Sequence, residues 1–280
     1  MKAEITLIPV GGLGNRIYAI TSAIDYCLDN DLTLEIIWFK DKGLNCTFNN
    51  LFTLENIPTG QITIREASLI DLITTDRPRR RNLHVPRIFQ KIVYDTCLRE
   101  THESQDKWNI LEKYIKSSKK KRIHIAEFSN FYNAEDCGKY ILLNDALEKK
   151  VQAEIAKFSN HKVVGIHIRR TDNELSIKYS PTSLFIHKMK TKLKKNENVF
   201  FYLASDSNED KKTLIDHFGD RIITHNEDAE RRTSEGIERA VVELFSLSRT
   251  SKIIGSFNST FSQVAAKLNN IPYEELSNKN

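Results

Sequence analysis

Ile5-Thr6-Leu7-Ile8-Pro9-Val10-Gly11-Gly12-Leu13-Gly14-Asn15-Arg16 is a mostly apolar run that breaks into a glycine-rich turn. Behind the turn, Ile17, Ile20, Ala23, Ile24 and Cys27 recur at helical spacing, and Leu34-Glu35-Ile36-Ile37-Trp38-Phe39 is a second apolar run. Strand, turn, helix, strand is a βαβ unit, which predicts a parallel sheet with right-handed crossovers. Glycine at such a turn permits positive φ and lets a ligand approach the backbone closely. The helix behind it offers N–H groups and a positive dipole end to an anion. A dinucleotide fingerprint is the rival reading: Gly12 and Gly14 match its first two glycines and Glu35 stands near its acidic position. Against it, Ile17 occupies the third glycine position and Glu35 lies inside the second strand. No Gly-Lys-Ser/Thr follows, which excludes a Walker loop.

Past residue 145 the alternation becomes regular. Asn144 is placed to cap a helix over 146–158. Strands are expected at 163–168, 200–204, 221–224 and 252–255, and helices at 182–195, 209–218, 235–248 and from about 260 to 268. This is the pattern of a doubly wound sheet. The chain therefore reads as an α/β protein of two Rossmann-like domains facing a cleft, residues 1–145 and 146–280. Residues 123–128 look like the strand that closes the first half. Residues 43–120 show no comparable order, and the clusters Arg77-Pro78-Arg79-Arg80-Arg81 and Lys119-Lys120-Lys121-Arg122 read as solvated charge.

Composition narrows the function classes. Lys and Arg number 42 against 37 Asp and Glu, a net charge of +5 over 280 residues. That excess suits an anionic ligand such as a nucleotide phosphate and is too small to point to nucleic acid. Cys27, Cys46, Cys97 and Cys137 form no Cys-x-x-Cys pair and have no His at zinc spacing, so reduced thiols are expected. Residues 1–10 are of strand length and do not resemble a signal peptide. No apolar run nears the ~18 residues that span a bilayer. The expectation is a cytoplasmic protein without a transmembrane segment, for which any membrane contact would be peripheral.

Polar motifs fall where strands end, which is where open parallel sheets bind ligands. His167-Ile168-Arg169-Arg170-Thr171-Asp172 closes one strand. Alternation puts His167 and Arg169 on one face, and an arginine fork there can hold a phosphate bidentately at any working pH. Ser205-Asp206-Ser207 closes the next strand, suited either to capping the following helix or to binding a sugar hydroxyl. Ser256-Phe257-Asn258-Ser259-Thr260 brings three hydroxyls and an amide to a strand-to-helix turn, where they can cap the helix or donate to a diphosphate. The chain is read as lacking the Asp-x-Asp motif with which many transferases hold a metal ion.

Taken together, these motifs resemble the fucosyltransferase superfamily. Gly11-Gly12-Leu13-Gly14-Asn15 looks like the opening loop of the α-1,2-fucosyltransferases. His167-Ile168-Arg169-Arg170 resembles the His-x-Arg-Arg motif of the α-1,2/α-1,6 and protein O-fucosyltransferases. Ser205-Asp206 and Asn258-Ser259-Thr260-Phe261-Ser262 are similar to its two later motifs. The resemblance implies a GT-B-like glycosyltransferase that moves fucose from GDP-fucose to a glycan hydroxyl, inverting the anomeric centre, with no metal and no other cofactor. It implies that Arg169 stabilises the GDP leaving group, while His167, Arg170, Asp206, Asn258, Ser259 and Thr260 bind the donor. Gly12, Gly14 and Asn15 would close over that donor from the other domain. Asp172, with Glu174 as the other candidate, would serve as general base. Two positions depart from the family pattern: Arg16 stands where the α-1,2 enzymes usually carry Gln, and His225 falls where the α-1,6 enzymes read guanine with Asp. The competing classes are an NAD(P)-dependent oxidoreductase, a non-catalytic nucleotide- or glycan-binding protein and, through the basic clusters, a nucleic-acid binder.

Overall fold

The computed structural model describes residues 3–41, 43–76, 87–98, 122–133, 135–159, 161–171, 173–225 and 233–279. Asp172, Arg77 to Arg81 and Lys119 to Lys121 therefore lie outside the described residues. The chain divides into two compact units, Met1–Leu142 and Leu143–Asn280.

The first unit contains β1 (Glu4–Pro9), α1 (Leu13–Asp29), β2 (Thr33–Trp38), β3 (Phe52–Leu54), β4 (Ile62–Glu66), α2 (Asp71–Thr74), α3 (Arg87–Val93), β5 (Thr96–Leu98) and β6 (Arg122–Glu127). Its five-stranded sheet has the order β4-β2-β1-β6-β5, with every pair parallel. β1 is central and buried beyond its first residue, as expected of a parallel strand covered on both faces. The strand order reverses between β1 and β6, so the carboxyl end of β1, which is the glycine turn, lies at the switch point. β3 pairs with β7 (Ile141–Leu143) in a separate two-stranded ladder.

The second unit contains α4 (Asp145–Ala156), β8 (Lys162–Ile168), α5 (Glu174–Tyr179), α6 (Thr182–Lys195), β9 (Val199–Ser205), α7 (Asn208–Phe218), β10 (Ile222–Thr224), α8 (Ser234–Ser248), β11 (Ile253–Ser256), α9 (Thr260–Leu268) and β12 (Tyr273–Leu276). Asn144 caps α4, its side chain accepting from Leu147 N at 2.9 Å. The sheet order is β10-β9-β8-β11-β12, again all parallel, with the switch between β8 and β11. Val164, Ile166 and Ile168 of β8 pack with Phe185 and Met189 of α6 and Leu214 of α7. Gly165, on the opposite face, leaves room for α8: a Cβ there would come within 2.9 Å of Leu247 Cδ2 and of Thr250 Oγ1.

The last strand was not expected. Residues 271–276 contain Pro272, Glu274 and Glu275, which do not read as a sheet strand. The structure accommodates Glu274 at the edge by pairing it with Lys188 and, at 2.7 Å, with Lys252. The four cysteines are free, as expected. Among the described residues, no helix is long and apolar enough to cross a membrane.

Gly255 fixes the distance between β11 and α9. A Cβ at this position would lie 2.6 Å from Ser262 Cβ and 3.0 Å from the Tyr273 ring. Gly255→Ala is therefore expected to cost about 1–3 kcal/mol, the usual range for overpacking. The thermal midpoint should fall by roughly 5 °C, and an unchanged midpoint would mean that α9 is not held so closely.

Candidate functional site

In the second unit, the ends of β8, β9 and β11 bring most of the expected residues together. His167 pairs with Ala204 of β9 on one side and Gly255 of β11 on the other. Its ring is buried, stacks on Phe261 of α9 with centroids 4.7 Å apart, and lies with Nδ1 3.4 Å from Ser259 Oγ. The turn after β8 is held from both neighbouring strands. On the β11 side, Arg169 N donates to the fully buried Ser256 Oγ at 3.0 Å. On the β9 side, Asp206 Oδ1 accepts from Arg170 N at 2.7 Å and Oδ2 from Thr171 Oγ1 at 2.8 Å.

The two adjacent arginines separate into different roles. All three guanidinium nitrogens of Arg170 are engaged within the unit. Nη1 donates to Arg169 O, Nη2 to Ser180 O and Thr182 Oγ1, and Nε lies 2.9 Å from Asp210 Oδ2. Its side chain braces the turn against α6 and α7. Arg169 Nη1 lies 3.4 Å from Asp206 Oδ2, on the β9 side of the turn. Asp206 likewise organises the turn. It does not cap the next helix, because Ser207 is the N-cap of α7.

The third strand end supplies a helix terminus. Asn258 adopts a left-handed φ of +52°, which turns the chain from β11 into α9. Its N donates to Glu275 Oε2 at 3.0 Å, and its carbonyl accepts from Asn173 Nδ2 at 3.0 Å. Ser259 is the N-cap of α9, and its own side chain makes no capping hydrogen bond. The first amides of α9, with Thr260 at N1, form a positive terminus suited to an anion at the sheet's switch point.

A buried charged cluster, overlooked in the sequence, lies against the edge of the same sheet. Lys211 of α7 lies 3.9 Å from Glu243 of α8 and donates to His225 O at 3.1 Å. His225 Nε2 in turn lies 3.1 Å from Glu154 Oε2. Burial pushes the Glu243 carboxyl up, and the nearby Lys211 ammonium offsets only part of this. Burial also pushes Glu154 up, but hydrogen bonds from His225 and Lys157 outweigh it and hold this carboxyl below its ordinary value. His225, in place of an acidic residue, thus joins the end of β10 to α4.

Gly12, Gly14 and Asn15 belong to the first unit. Gly11 has φ +84°, and a Cβ there would meet Asn15 Nδ2 at 2.8 Å. Gly12, which has no side chain of its own, is the N-cap of α1. Gly14 is buried in the first turn. Arg16, noted only as a family departure, anchors this turn. It is fully buried, donates to Gly11 O at 3.2 Å, to Phe39 O at 2.7 Å and to Asp41 Oδ2 at 2.8 Å, and lies 4.6 Å from the centroid of the Trp38 ring. The dinucleotide reading loses its acidic residue, since Glu35 lies within β2 and is paired with Arg65 at 2.7 Å.

One Asp-x-Asp does occur in the sequence, Asp29-Asn30-Asp31. It lies where α1 turns into the amino end of β2, and Asp29 accepts from Tyr132 Oη at 2.8 Å. That is the sheet edge opposite the carboxyl ends where parallel sheets bind ligands.

No family model and no curated protein matches the sequence. Solved structures do. The NodZ α-1,6-fucosyltransferase of Bradyrhizobium, soaked with GDP-fucose, is similar over 96% of this chain and 93% of its own, with TM-score 0.65 and 17% identity. The chain has the fucosyltransferase fold. A variant of Arabidopsis thaliana FUT1 in complex with GDP is similar over 98% of this chain and 70% of its own, with TM-score 0.68 and 15% identity. POFUT1 in complex with GDP covers 98% of each chain, with TM-score 0.54 and 11% identity. These likenesses run through both units, so the fucosyltransferase fold accounts for the chain as a GT-B-like pair of Rossmann-like sheets.

Proposed function

We propose that this chain is an inverting glycosyltransferase that moves fucose from GDP-fucose to a glycan hydroxyl in the cytoplasm, without a metal ion. The observation that carries the reading is Arg169. Its permanently charged guanidinium, 3.4 Å from Asp206, stands on a turn at the switch point of a parallel sheet; the turn is fixed from both sides, and the neighbouring strand β11 leads into the amino end of α9. NodZ and POFUT1, which share the fold, have been crystallised with GDP-fucose or GDP.

The chemistry follows from charge. Departure of GDP from the sugar carbon builds negative charge on the β-phosphate and positive character on the sugar. Arg169 and the α9 amides neutralise the phosphate, and fixed donors of this kind act without reorganising during the reaction. Ser259 and Thr260 bind the diphosphate, and His167 stands against the donor. Asn258 shapes the turn that presents the amides, and Arg170 and Asp206 hold Arg169 in position. Residues 146–280 form the donor domain, while residues 1–145, with Gly12, Gly14 and Asn15, contribute the acceptor side. The attacking hydroxyl needs a base within hydrogen-bond reach, a role for Asp172 or for Glu174 in the first turn of α5.

A panel of nucleotide sugars incubated with the protein in EDTA tests this reading. GDP-fucose should be turned over, by transfer or slow hydrolysis, at a rate unchanged by chelator. Binding of GDP without turnover of any sugar nucleotide would leave a non-catalytic binding protein. Stabilisation by NAD and not by GDP would restore the oxidoreductase.

A further inference from the structure

The peptide groups just ahead of α9 have no ladder partners, so something else must satisfy them. Side chains do so for both residues of the turn. Phe257 N donates to Ser180 Oγ at 2.8 Å, and Phe257 O accepts from Ser176 Oγ at 2.6 Å. Asn258 N donates to Glu275 Oε2 and Asn258 O accepts from Asn173 Nδ2, both at 3.0 Å. Asn173, Ser176 and Ser180 are the N-cap, an internal residue and the C-cap of α5, the helix that follows the Arg169 turn. Ser180 is fully buried and bonded on two sides. Its carbonyl accepts from Arg170 Nη2 at 3.0 Å, while its hydroxyl accepts from Phe257 N and donates to Leu276 O at 2.5 Å. Hydrogen bonds therefore run from the Arg170 guanidinium through Ser180 to the backbone that leads into α9. The β8–β11 ladder ends at His167 and Gly255, so beyond it side chains set the spacing of the two turns. The bond from Arg169 N to Ser256 Oγ is one such tie, and Ser180 supplies a second.

We propose that Ser180 is a positioning residue, which fixes the amino end of α9 relative to the turn that carries Arg169. Glu275 completes the same clamp from β12. The inference rests on the donor-binding reading given above: amides and guanidinium must reach one diphosphate together, and small misplacements of such groups are costly.

Calorimetric titration with GDP and with GMP, which lacks the β-phosphate, tests the proposal together with kcat and KM for GDP-fucose. Ser180→Ala should lower both kcat and the preference for GDP over GMP by about tenfold. The fall in kcat should exceed the rise in KM, because the β-phosphate gains its charge only as GDP departs. Val151→Ala, a core truncation in α4, should lower the thermal midpoint and leave preference and kcat unchanged. Glu275 is exposed, so its variants keep the test open should Ser180→Ala not fold. Glu275→Ala removes the acceptor for Asn258 N and should lower the preference, whereas Glu275→Gln keeps an acceptor oxygen and should restore it. Wild-type kcat and GDP preference in Ser180→Ala and Glu275→Ala would overturn the positioning role and leave the donor reading standing. So would an equal loss of preference in Val151→Ala, which would make the effect one of stability alone. A wild-type protein that binds GDP no better than GMP would overturn the donor reading, and the positioning role with it.

Discussion

Turnover of GDP-fucose should fall by about 10²–10³-fold when Arg169 is replaced by alanine, with the fold intact. The side chain leaves the sheet at its carboxyl end and supports no core cluster, whereas its backbone N, which the substitution keeps, is what Ser256 holds. The loss should therefore appear in the rate and not in the thermal midpoint. Lysine at this position keeps the charge but not the two-pronged geometry, so it should recover only part of the rate. Arg170→Ala should behave in the opposite order. It removes the bonds to Ser180 and Thr182 and leaves Asp210 without its guanidinium, so stability should fall first and activity with it. Initial rates of GDP release and thermal melts on both variants check the pair. An Arg169→Ala enzyme within about threefold of wild type would remove leaving-group stabilisation from this residue.

Arg16→Ala should be the most destabilising of the substitutions considered, at about 3–5 kcal/mol, because it breaks a buried ion pair from one side. The substitution leaves Phe39 O and Gly11 O short of a donor and removes the guanidinium stacked on Trp38. Asp41 keeps its bonds from Gly43 N and Leu44 N but loses its cation. A drop in midpoint of roughly 10 °C is expected. Replacing both partners, Arg16 by methionine and Asp41 by asparagine, should cost less than the single change, since no buried charge is then stranded. A single variant that melts within about 2 °C of wild type would mean the anchor contributes little.

Much of the second unit was legible because its strands are near-continuous apolar runs ending in polar residues. Residues 163–168 and 200–204 read directly as β8 and β9, and the amphipathic spacing of 235–248 as α8. β4 was missed because Thr63 and Arg65 alternate with its apolar residues on a strand at the sheet edge. β12 was missed because its acidic residues find their lysines only in three dimensions.

The division of labour between Arg169 and Arg170 was half legible. The sequence shows two adjacent arginines just past β8, but only the structure reveals that Thr182 and Asp210 engage Arg170 while Asp206 lies beside Arg169. The role of Arg16 left a signal that went unread. A cation in the first turn of a helix faces the positive end of the dipole, an unfavourable place unless a specific partner holds it. Asp41, just beyond the second strand, is that partner.

The ties from Ser256 and Asp206 to main-chain atoms of residues 169 and 170 have a thermodynamic consequence. Conformational freedom in that segment is surrendered when the protein folds, not when a ligand arrives. If the turn receives a phosphate, as proposed, the ligand meets a receptor already in its working shape, so little affinity is diverted into immobilising the backbone.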